Sequence, residues 1–251
     1  MIELRYKVKG STTSMDKMAY LTSLEMDAFY VELTDKGIKG NIEECLSGSK
    51  ILVLNIPSGL RKHPENNFVK QMAGLLPYIE ASTVKNVVFI SSTSVYADDV
   101  SIPHVTETTA PYPDSESGKQ LLKAERLFQN NQHFQTTILR FSGLFGADRH
   151  PARHLSGKTN VKNPDAPVNL VHQKDCIGII ADIIEKNCWN ETFNASTTPH
   201  PSRQEYYTLI CKQMELPLPR FDNSALSKGK HIDSKKLIDN LKYGFQIKLN
   251  N

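Results

Sequence analysis

Two consecutive serines, Ser91 and Ser92, stand where a run of apolar residues ends. Residues 87–90 read Val-Val-Phe-Ile, a run that predicts a buried strand ending in the two hydroxyls. A polar loop then leads into a predicted helix over residues 115–128, which Asp114 or Ser115 can cap and in which Leu121, Ala124 and Phe128 share one face. Because α/β enzymes bind ligands at the carboxyl ends of parallel strands, the two hydroxyls are candidates for contact with a substrate or cofactor.

This stretch resembles the active-site region of the extended short-chain dehydrogenase/reductase family, which includes the nucleotide-sugar epimerases and dehydratases. The family pattern is a strand, then S-S-x-x-V-Y-G, then Y-x-x-x-K, then Glu four residues on. In a gapless alignment Ser92 takes the place of the catalytic Ser/Thr, and Tyr96 and Glu125 also match. Ser117 stands where the family has its catalytic Tyr, and Leu121 where it has its Lys. The resemblance covers almost the whole chain and is strongest to an atypical branch of nucleoside-diphosphate-sugar epimerase-like proteins.

The two replacements remove the family's proton-transfer pair. In the family the Tyr is the general acid/base, and the Lys ammonium lowers the pKa of the Tyr toward working pH. A serine hydroxyl is too weak an acid for this role. Tyr112 could swing in instead, with Lys119 or Lys123 as its partner, but an irregular loop flanked by prolines is a poor place to fix a proton donor. We therefore expect Tyr112 to be a half-exposed loop aromatic.

The start of the chain departs from the fold that the resemblance implies, an α/β, Rossmann-like, doubly wound parallel sheet. Residues 1–5 predict the last turn of a helix, residues 6–10 a strand and residues 11–14 a turn that caps the next helix. These are the features of the second strand of a Rossmann domain. No G-x-G-x-x-G occurs anywhere, and residues 143–146 follow the sixth strand rather than the first. The first strand and its Gly-rich turn are therefore expected to be missing.

A missing first strand would have structural consequences, because that strand is central in the order 3-2-1-4-5-6. Its two neighbours would lose ladder partners across a gap of about 9–10 Å. We hypothesise that Met1 is an internal start or that the sequence is a truncated version of a longer protein. The alternatives are a re-paired sheet, or a sheet completed by another chain, for example in a homodimer.

The residues of the turn after the first predicted strand bear on whether the chain prefers NAD or NADP. NAD-preferring Rossmann sites place an acid there, whereas this turn has Ser11 and Thr12 with lysines nearby, which suit the 2′-phosphate of NADP better. Ordinary helix capping by Thr13 or Ser14 explains the same residues equally well. The resemblance adds further cofactor-contacting candidates: Asn55, Pro57, Ser91, Gly143 and Leu144. Without the phosphate cradle, it stays open whether this chain binds a dinucleotide.

A compact basic loop follows the predicted strand 133–141. Arg149 and Arg153 could anchor a diphosphate or carboxylate of the substrate, although a solvated turn is an equal alternative. His150 and His154 have metal-like spacing, but no carboxylate or Cys partner accompanies them, so no metal site is expected. His172 is a third substrate-binding candidate, with a satisfied core histidine as its alternative.

Other segments predict the remaining elements. Met15, Met18 and Leu21 recur at the spacing of a helix's core face. A helix over residues 67–82 should be kinked or ended by Pro77, and Asp175 should cap a helix over residues 176–186. Gly37 and Gly40 should mark a surface turn. The other expected strands are residues 28–33, 50–55 and 189–195, and the other expected helices are residues 201–216 and one that opens at residue 234.

Composition excludes several classes of protein. The net charge of +3 over 251 residues is too small and too evenly spread to indicate nucleic-acid binding. No apolar run of about 18 residues and no signal peptide occur, which argues against a membrane protein and against secretion. The four cysteines have no C-x-x-C spacing, which suits a reducing cytoplasm.

Two functions from different classes remain. The first is an NAD(P)-dependent, epimerase/dehydratase-like enzyme that acts on a nucleotide-sugar-type small molecule with unusual acid/base chemistry. The second is a catalytically inactive NAD(P)-binding sensor or scaffold. The expected domains are residues 1–148, Rossmann-like, and residues 149–251, a small substrate-side lobe interleaved with the last strand of the sheet.

Overall fold

The structure is a computed structural model that describes residues 6–60, 63–146 and 149–249. The chain divides into two compact units that are both discontinuous in sequence. Unit 1 comprises residues 1–90, 120–138 and 189–191, and unit 2 comprises residues 91–119, 139–188 and 192–251. The predicted domains 1–148 and 149–251 stay a prediction, and the units differ from them by grouping residues 91–119 and 139–148 with the later part of the chain.

The helices and strands follow the α/β pattern. Unit 1 contains β1 (Lys9–Thr12), α1 (Met15–Ser23), β2 (Asp27–Thr34), β3 (Gly37–Gly40), α2 (Ile42–Leu46), β4 (Ile51–Leu54) and α3 (Phe68–Glu80). Three elements have residues in both units: β5 (Asn86–Ser92), α4 (Glu116–Gln129) and β7 (Gln135–Phe141). Unit 2 contains β6 (His104–Val105), β8 (Gly143–Phe145), α5 (Ala152–Leu155), β9 (Leu170–His172), α6 (Gln173–Glu185), β10 (Thr192–Ala195), α7 (Arg203–Gln213), β11 (His231–Ile232) and α8 (Lys235–Leu241).

The strands form two larger sheets. In the first, β1 pairs in parallel with β2, and β2 pairs antiparallel with β3. The second has the order β10-β7-β5-β4, with Ile51 of β4 opposite Asn86 of β5 in parallel register. Within the described residues β1 pairs only with β2 and β4 only with β5, so no ladder joins the two sheets. This arrangement matches a doubly wound sheet without its central strand, and the predicted α/β fold class is confirmed.

The core of unit 1 positions the end of β5. Phe128 of α4 is fully buried, with its ring centroid 5.1 Å from that of Phe89 and 6.0 Å from that of Phe134. Ile79 of α3 and Ile138 of β7 are also fully buried in the same cluster. These large side chains hold β5 in a rigid, close-packed setting.

Several predicted elements are present with small shifts at their ends. They are the strands predicted at residues 28–33, 50–55 and 133–141 and the helices predicted at residues 115–128 and 201–216. The prediction for residues 1–5 lies outside the described residues. The core face predicted for α1 is wrong, because α1 has no buried residue and Met15 is 68% exposed. The helix approaches β1 through Leu21, which lies over Gly10, and its opposite end faces solvent.

Gly37 and Gly40 do not form a surface turn but begin and end β3, an edge strand. The turn lies just before it, where the Thr34 hydroxyl accepts a hydrogen bond from Lys36 N. Gly40 has φ +90°, and a Cβ there would lie 1.9 Å from Tyr30 O. The strand therefore requires glycine at this position, both for its φ and for its close approach to β2.

Two predictions about helix boundaries are also wrong. Of the two effects predicted for Pro77, an end of the helix is wrong, because α3 continues to Glu80; a kink stays a prediction. Asp175 does not cap α6. The cap is His172, whose Nδ1 accepts a hydrogen bond from Lys174 N at 3.1 Å, and Asp175 lies fully buried in the first turn.

Asp175 instead binds the last part of the described chain. Its carboxylate accepts hydrogen bonds from Tyr243 OH at 3.0 Å, Gln246 N at 2.7 Å and Ile247 N at 3.2 Å. A buried carboxylate needs such donors to compensate for lost hydration. The sequence predicted only a cap at Asp175, because the hydrogen-bond partners of its carboxylate lie about seventy residues further along the chain.

Candidate functional site

Ser92 ends β5 and begins a single 3₁₀ turn, Thr93–Val95. Its Oγ accepts a hydrogen bond from Ser94 N at 3.1 Å, so Ser92 is the N-cap of that turn. Ser91 is buried at 6% exposure, and Ser92 is half-buried. The strand-to-turn transition predicted from the sequence thus presents the Ser92 hydroxyl at the carboxyl end of β5.

A cavity of about 320 Å³ in unit 2 has Ser92 in its wall. Thr93 and Ser94 from the 3₁₀ turn line it as well, together with Asp98. The rest of the wall comes from later parts of the same unit: Asn163, Ala166, Pro167, Val168, Asn169, Arg203, Tyr207, Lys228, Gly229 and Lys230. We call this cavity the Ser92 pocket.

The Ser92 pocket carries three cationic side chains and one carboxylate, Asp98. Arg203 is the first residue of α7, Lys228 is exposed, and Lys230 has a side chain only 12% exposed. The arrangement favours an anionic ligand, because clustered cations in a concave site attract negative charge. Sequence reasoning missed all three, since isolated Arg and Lys residues in polar stretches look like ordinary surface residues.

Asn169 fixes the backbone around Lys230. Its Nδ2 donates to Lys230 O at 2.8 Å, and its Oδ1 accepts from Ile232 N at 3.0 Å. β11 pairs in parallel with β6 in the next residues, with His231 opposite His104. One side chain therefore binds the backbone on both sides of His231, directly after the pocket lysine.

A buried polar network involves Tyr96, which matches the family pattern. Arg140 Nη1 donates to Tyr96 OH at 2.6 Å, and Tyr96 OH donates to Asn194 Oδ1 at 3.2 Å. Glu107 accepts from Asn194 N at 2.7 Å. Burial raises the pKa of Tyr96, although Arg140 lowers it in part, and burial also raises the pKa of Glu107. A tyrosine with a raised pKa is poorly suited to proton transfer near neutral pH.

The proposed substitute Tyr112 is 79% exposed and has no hydrogen-bond partner within the described residues. Lys119 and Lys123 are exposed as well. Leu121, at the family's Lys position, packs against the hydrophobic core of unit 1. Tyr207 lines the Ser92 pocket, but burial raises the pKa of its hydroxyl despite the nearby Arg203.

The basic loop of the sequence analysis lies outside the wall of the Ser92 pocket. Arg149 and Arg153 are exposed. His150 is half-buried: its Nε2 lies 3.1 Å from Tyr206 OH, and its Nδ1 accepts from Ala152 N. Burial, and to a lesser degree Arg153, lowers the pKa of His150. His172 serves as the N-cap of α6, with its ring edge-on to Phe145, 4.9 Å between centroids.

The residues predicted to contact a cofactor are split between the units. In unit 1, Ser11, Asn55 and Pro57 are exposed, and Thr12 Oγ1 accepts from Ser14 N at 3.1 Å. Thr12 therefore closes a turn just before α1, and Ser14, the N-cap residue, makes no side-chain cap bond. Nearby, Lys9 Nζ donates to Glu44 O and Ser47 O at the end of α2.

In unit 2, Leu144 is 46% exposed, and a Cβ at Gly143 would lie 2.7 Å from Leu170 Cδ2. Gly143 is thus needed for the close pairing of β8 with β9. A dinucleotide also needs a Gly-rich turn at a helix N-terminus for its pyrophosphate. Among the described residues, α1 and α3 begin at Ser14 and Asn67 with no such turn. The described residues therefore do not form a cradle that fits the pyrophosphate of a dinucleotide.

Comparisons with known proteins agree with this architecture. The family model for the NAD dependent epimerase/dehydratase family matches residues 63–172. Protein YeeZ of Escherichia coli K12 is 29% identical over 243 residues, which cover 96% of this chain and 88% of YeeZ.

Solved structures show the same fold at low sequence identity. A conserved protein of unknown function from Silicibacter pomeroyi DSS has a TM-score of 0.78 at 18% identity, over 99% of this chain and 88% of that chain. A mutant of Bacillus cereus UDP-glucuronic acid 4-epimerase, in complex with a fluorinated UDP-glucuronic acid and NAD, has a TM-score of 0.76 at 19% identity, over 98% and 88% of the two chains.

The chain has the Rossmann-type α/β fold of these solved structures. Its residues 63–172 are similar to the NAD dependent epimerase/dehydratase family, and its overall sequence is similar to YeeZ. No described helix is long and apolar enough to cross a membrane. Within the described residues, no cluster of His, Cys, Asp or Glu could hold a metal ion.

Proposed function

We propose that the chain is an epimerase/dehydratase-like protein that binds a nucleotide-sugar-type small molecule in the Ser92 pocket. The supporting observation is the meeting of Ser92 with Arg203, Lys228 and Lys230 around one cavity. A nucleotide sugar offers both sugar hydroxyls for a serine and a diphosphate for the cations. The Bacillus cereus and MoeE5 structures with UDP-sugars bound support this substrate class.

The role proposed for Ser92 is to hold a hydroxyl of the substrate by a hydrogen bond. Proton transfer by the family's usual route is not part of this proposal, because Leu121 packs in the core of unit 1 and Tyr112 is 79% exposed. Arg149, Arg153 and His172 stay as proposed substrate contacts, and the exposure of the two arginines leaves them free to meet an anion.

A second candidate function is a catalytically inactive sensor or scaffold. The observation that favours it is the state of two tyrosines. Burial raises the pKa of Tyr207 in the pocket wall, and it raises the pKa of Tyr96, whose hydroxyl is engaged with Arg140 and Asn194. For any dinucleotide we propose NADP rather than NAD, since Ser11 and Thr12 form the end of β1 and no acidic residue stands beside them. We also propose a cytoplasmic location, because the scattered cysteines suit a reducing compartment, and a homodimer as a possible assembly.

Calorimetric titration of the full chain with UDP-glucose and UDP-glucuronic acid tests the proposal, and fluorescence titrations with NADPH and NADH test the cofactor. We expect nucleotide-sugar binding that Ser92→Ala weakens by roughly fivefold or more, the value of a lost hydrogen bond. Ser92→Thr keeps the hydroxyl and the cap and is the matched control. Binding without turnover would favour the sensor, and the absence of nucleotide-sugar binding would reject the proposal.

A further inference from the structure

Lys230 is a largely enclosed cation in the wall of the Ser92 pocket. Its Nζ donates to Tyr96 O at 2.8 Å and to Asp98 Oδ1 at 2.7 Å, and its side chain is 12% exposed. Both acceptors lie just after the 3₁₀ turn that Ser92 caps. The lysine therefore ties its own segment to the strand end that presents the Ser92 hydroxyl.

The ammonium of Lys230 has unused hydrogen-bonding capacity. A lysine ammonium has three N–H groups, and two of them are engaged within the described part of the chain. Because Lys230 lines the pocket, the third N–H can reach a ligand there. A nearly enclosed N–H gains more from a ligand oxygen than an exposed one, since little water competes for it.

Lys230 is also better fixed than Lys228. Lys228 is exposed and forms no ion pair within the described residues. Asn169 binds the backbone on the C-terminal side of Lys230, at Lys230 O and Ile232 N, and the two acceptors hold the Lys230 ammonium. A group held in place before binding loses less conformational entropy when a ligand arrives.

The charge balance favours an anion as the ligand. Asp98 pairs with Lys230, but its side chain is 53% exposed, and Arg203 and Lys228 remain without a matching carboxylate in the pocket wall. A phosphate or carboxylate oxygen is therefore a better partner for the third N–H than a neutral donor–acceptor group.

We infer that Lys230 is the residue that fixes the bound ligand in the Ser92 pocket, by donating a hydrogen bond from its ammonium to an anionic oxygen of that ligand. The inference rests on the proposed function in that it takes this pocket as the substrate site. It adds a binding residue from outside the family's Tyr-x-x-x-Lys pattern, on a segment far from Leu121 in sequence. Asp98 is its positioning residue, because it sets the direction of the ammonium.

The test is calorimetric titration with two probes, inorganic diphosphate and UDP-glucose, on the full chain and two variants. Lys230→Met keeps the apolar stem and removes the charge, so we expect roughly ten- to hundredfold weaker binding of both probes. Lys235→Met is the matched control: Lys235 is 75% exposed, pairs with Asp239 on α8 and should leave both affinities unchanged.

A second measurement needs no variant and remains decisive if Lys230→Met does not fold. Acetic anhydride modifies exposed amines, and peptide mass spectrometry reports the rate at each lysine. We expect diphosphate to slow modification of Lys230 several-fold and to leave Lys235 unchanged. Equal protection of both lysines, or none, would overturn the inference.

The outcomes separate the inference from the proposed function. UDP-glucose binding that Lys230→Met leaves intact rejects the inference and keeps the proposed function. Diphosphate binding that needs Lys230, without any UDP-glucose binding, supports the inference and rejects the nucleotide-sugar proposal. If the native chain binds neither probe and Lys230 is not protected, both are wrong.

Discussion

Unit 1 and unit 2 differ in what fills their interiors. Among the described residues, the core of unit 1 is mostly apolar, with Phe89, Phe128 and Ile138 fully buried. Most buried polar and charged residues lie in unit 2, including Arg140, Asp175 and Asn194. Unit 2 also contains buried polar atoms without a partner in the described structure: Ser142 Oγ, Asn194 Nδ2, Ser196 Oγ and Thr197 Oγ1.

The difference indicates a division of roles. An apolar core contributes stability with little specificity, because it tolerates exchange among residues of similar volume. Buried polar groups cost free energy unless they are hydrogen-bonded, and they are retained where geometry matters. The Ser92 pocket lies in unit 2, which concentrates those groups.

The largest expected effect tests the apolar core of unit 1. Phe128→Ala removes a ring packed against Phe89 and Phe134, and it should lower the free energy of unfolding by about 3–5 kcal/mol in urea denaturation. Arg126→Ala, an exposed position two residues earlier, should change it by less than about 0.5 kcal/mol. A loss below about 1 kcal/mol for Phe128→Ala would contradict the description of this core.

A smaller effect is expected on the pH dependence of stability, through histidines of unit 2. The rings of His104 and His231 stack at 4.7 Å between centroids, and His200 meets His231 edge-on at 5.8 Å. Burial lowers the pKa of His200 and of His231 below 6.5; His104 lowers both further, and Asp233 opposes this at His200. Below pH 6.5 the unfolded chain therefore binds protons that the folded chain does not, so stability falls on acidification.

The measurement is the urea midpoint at pH 7.5 and at pH 5.5. We expect the midpoint to fall at the lower pH and the fall to be smaller in His231→Gln, because that variant removes one of the two groups. Other charged groups near these histidines include Asp233, Lys230 and Glu107, and the substitution leaves all three unchanged. His133→Gln, at an exposed position in unit 1, is the control. An equal fall in His231→Gln would refute this assignment.

The smallest effect compares two helix starts. Ser202 forms a capping box with Glu205 at the start of α7, so Ser202→Ala should lower the free energy of unfolding by about 1 kcal/mol. Ser14 begins α1 without a side-chain cap bond, so Ser14→Ala should change it by less than about 0.5 kcal/mol. Thermal denaturation of both variants distinguishes the two caps, and equal losses would contradict the difference.

The sequence predicted those features that depend on neighbouring residues. The apolar run before Ser91 located β5, and the helical spacing of Leu121, Ala124 and Phe128 located α4, because local periodicity decides such elements. The failures have local causes too. Met15 has the spacing of a core residue, but spacing alone does not show whether another element covers that face.

Among the described residues that line the Ser92 pocket, the sequence predicted a site role only for Ser92. Arg203, Lys230 and Asn169 are residue types common on any surface, and their meeting depends on contacts far apart in sequence. The Asn169–Lys230 hydrogen bond alone spans 61 residues. No single-sequence pattern carries such information, whereas a family motif carries the position of Ser92 by resemblance.

The contact between Lys230 and Asp98 joins residues 132 positions apart. During synthesis, a nascent chain that has passed Asp98 must wait for more than half of the total length to leave the ribosome before this contact can form. Until then the Ser92 hydroxyl faces a pocket without its enclosed cation. A ligand bound through that cation can therefore stabilise the protein only after translation has moved beyond Lys230, and it cannot guide the earlier steps of folding.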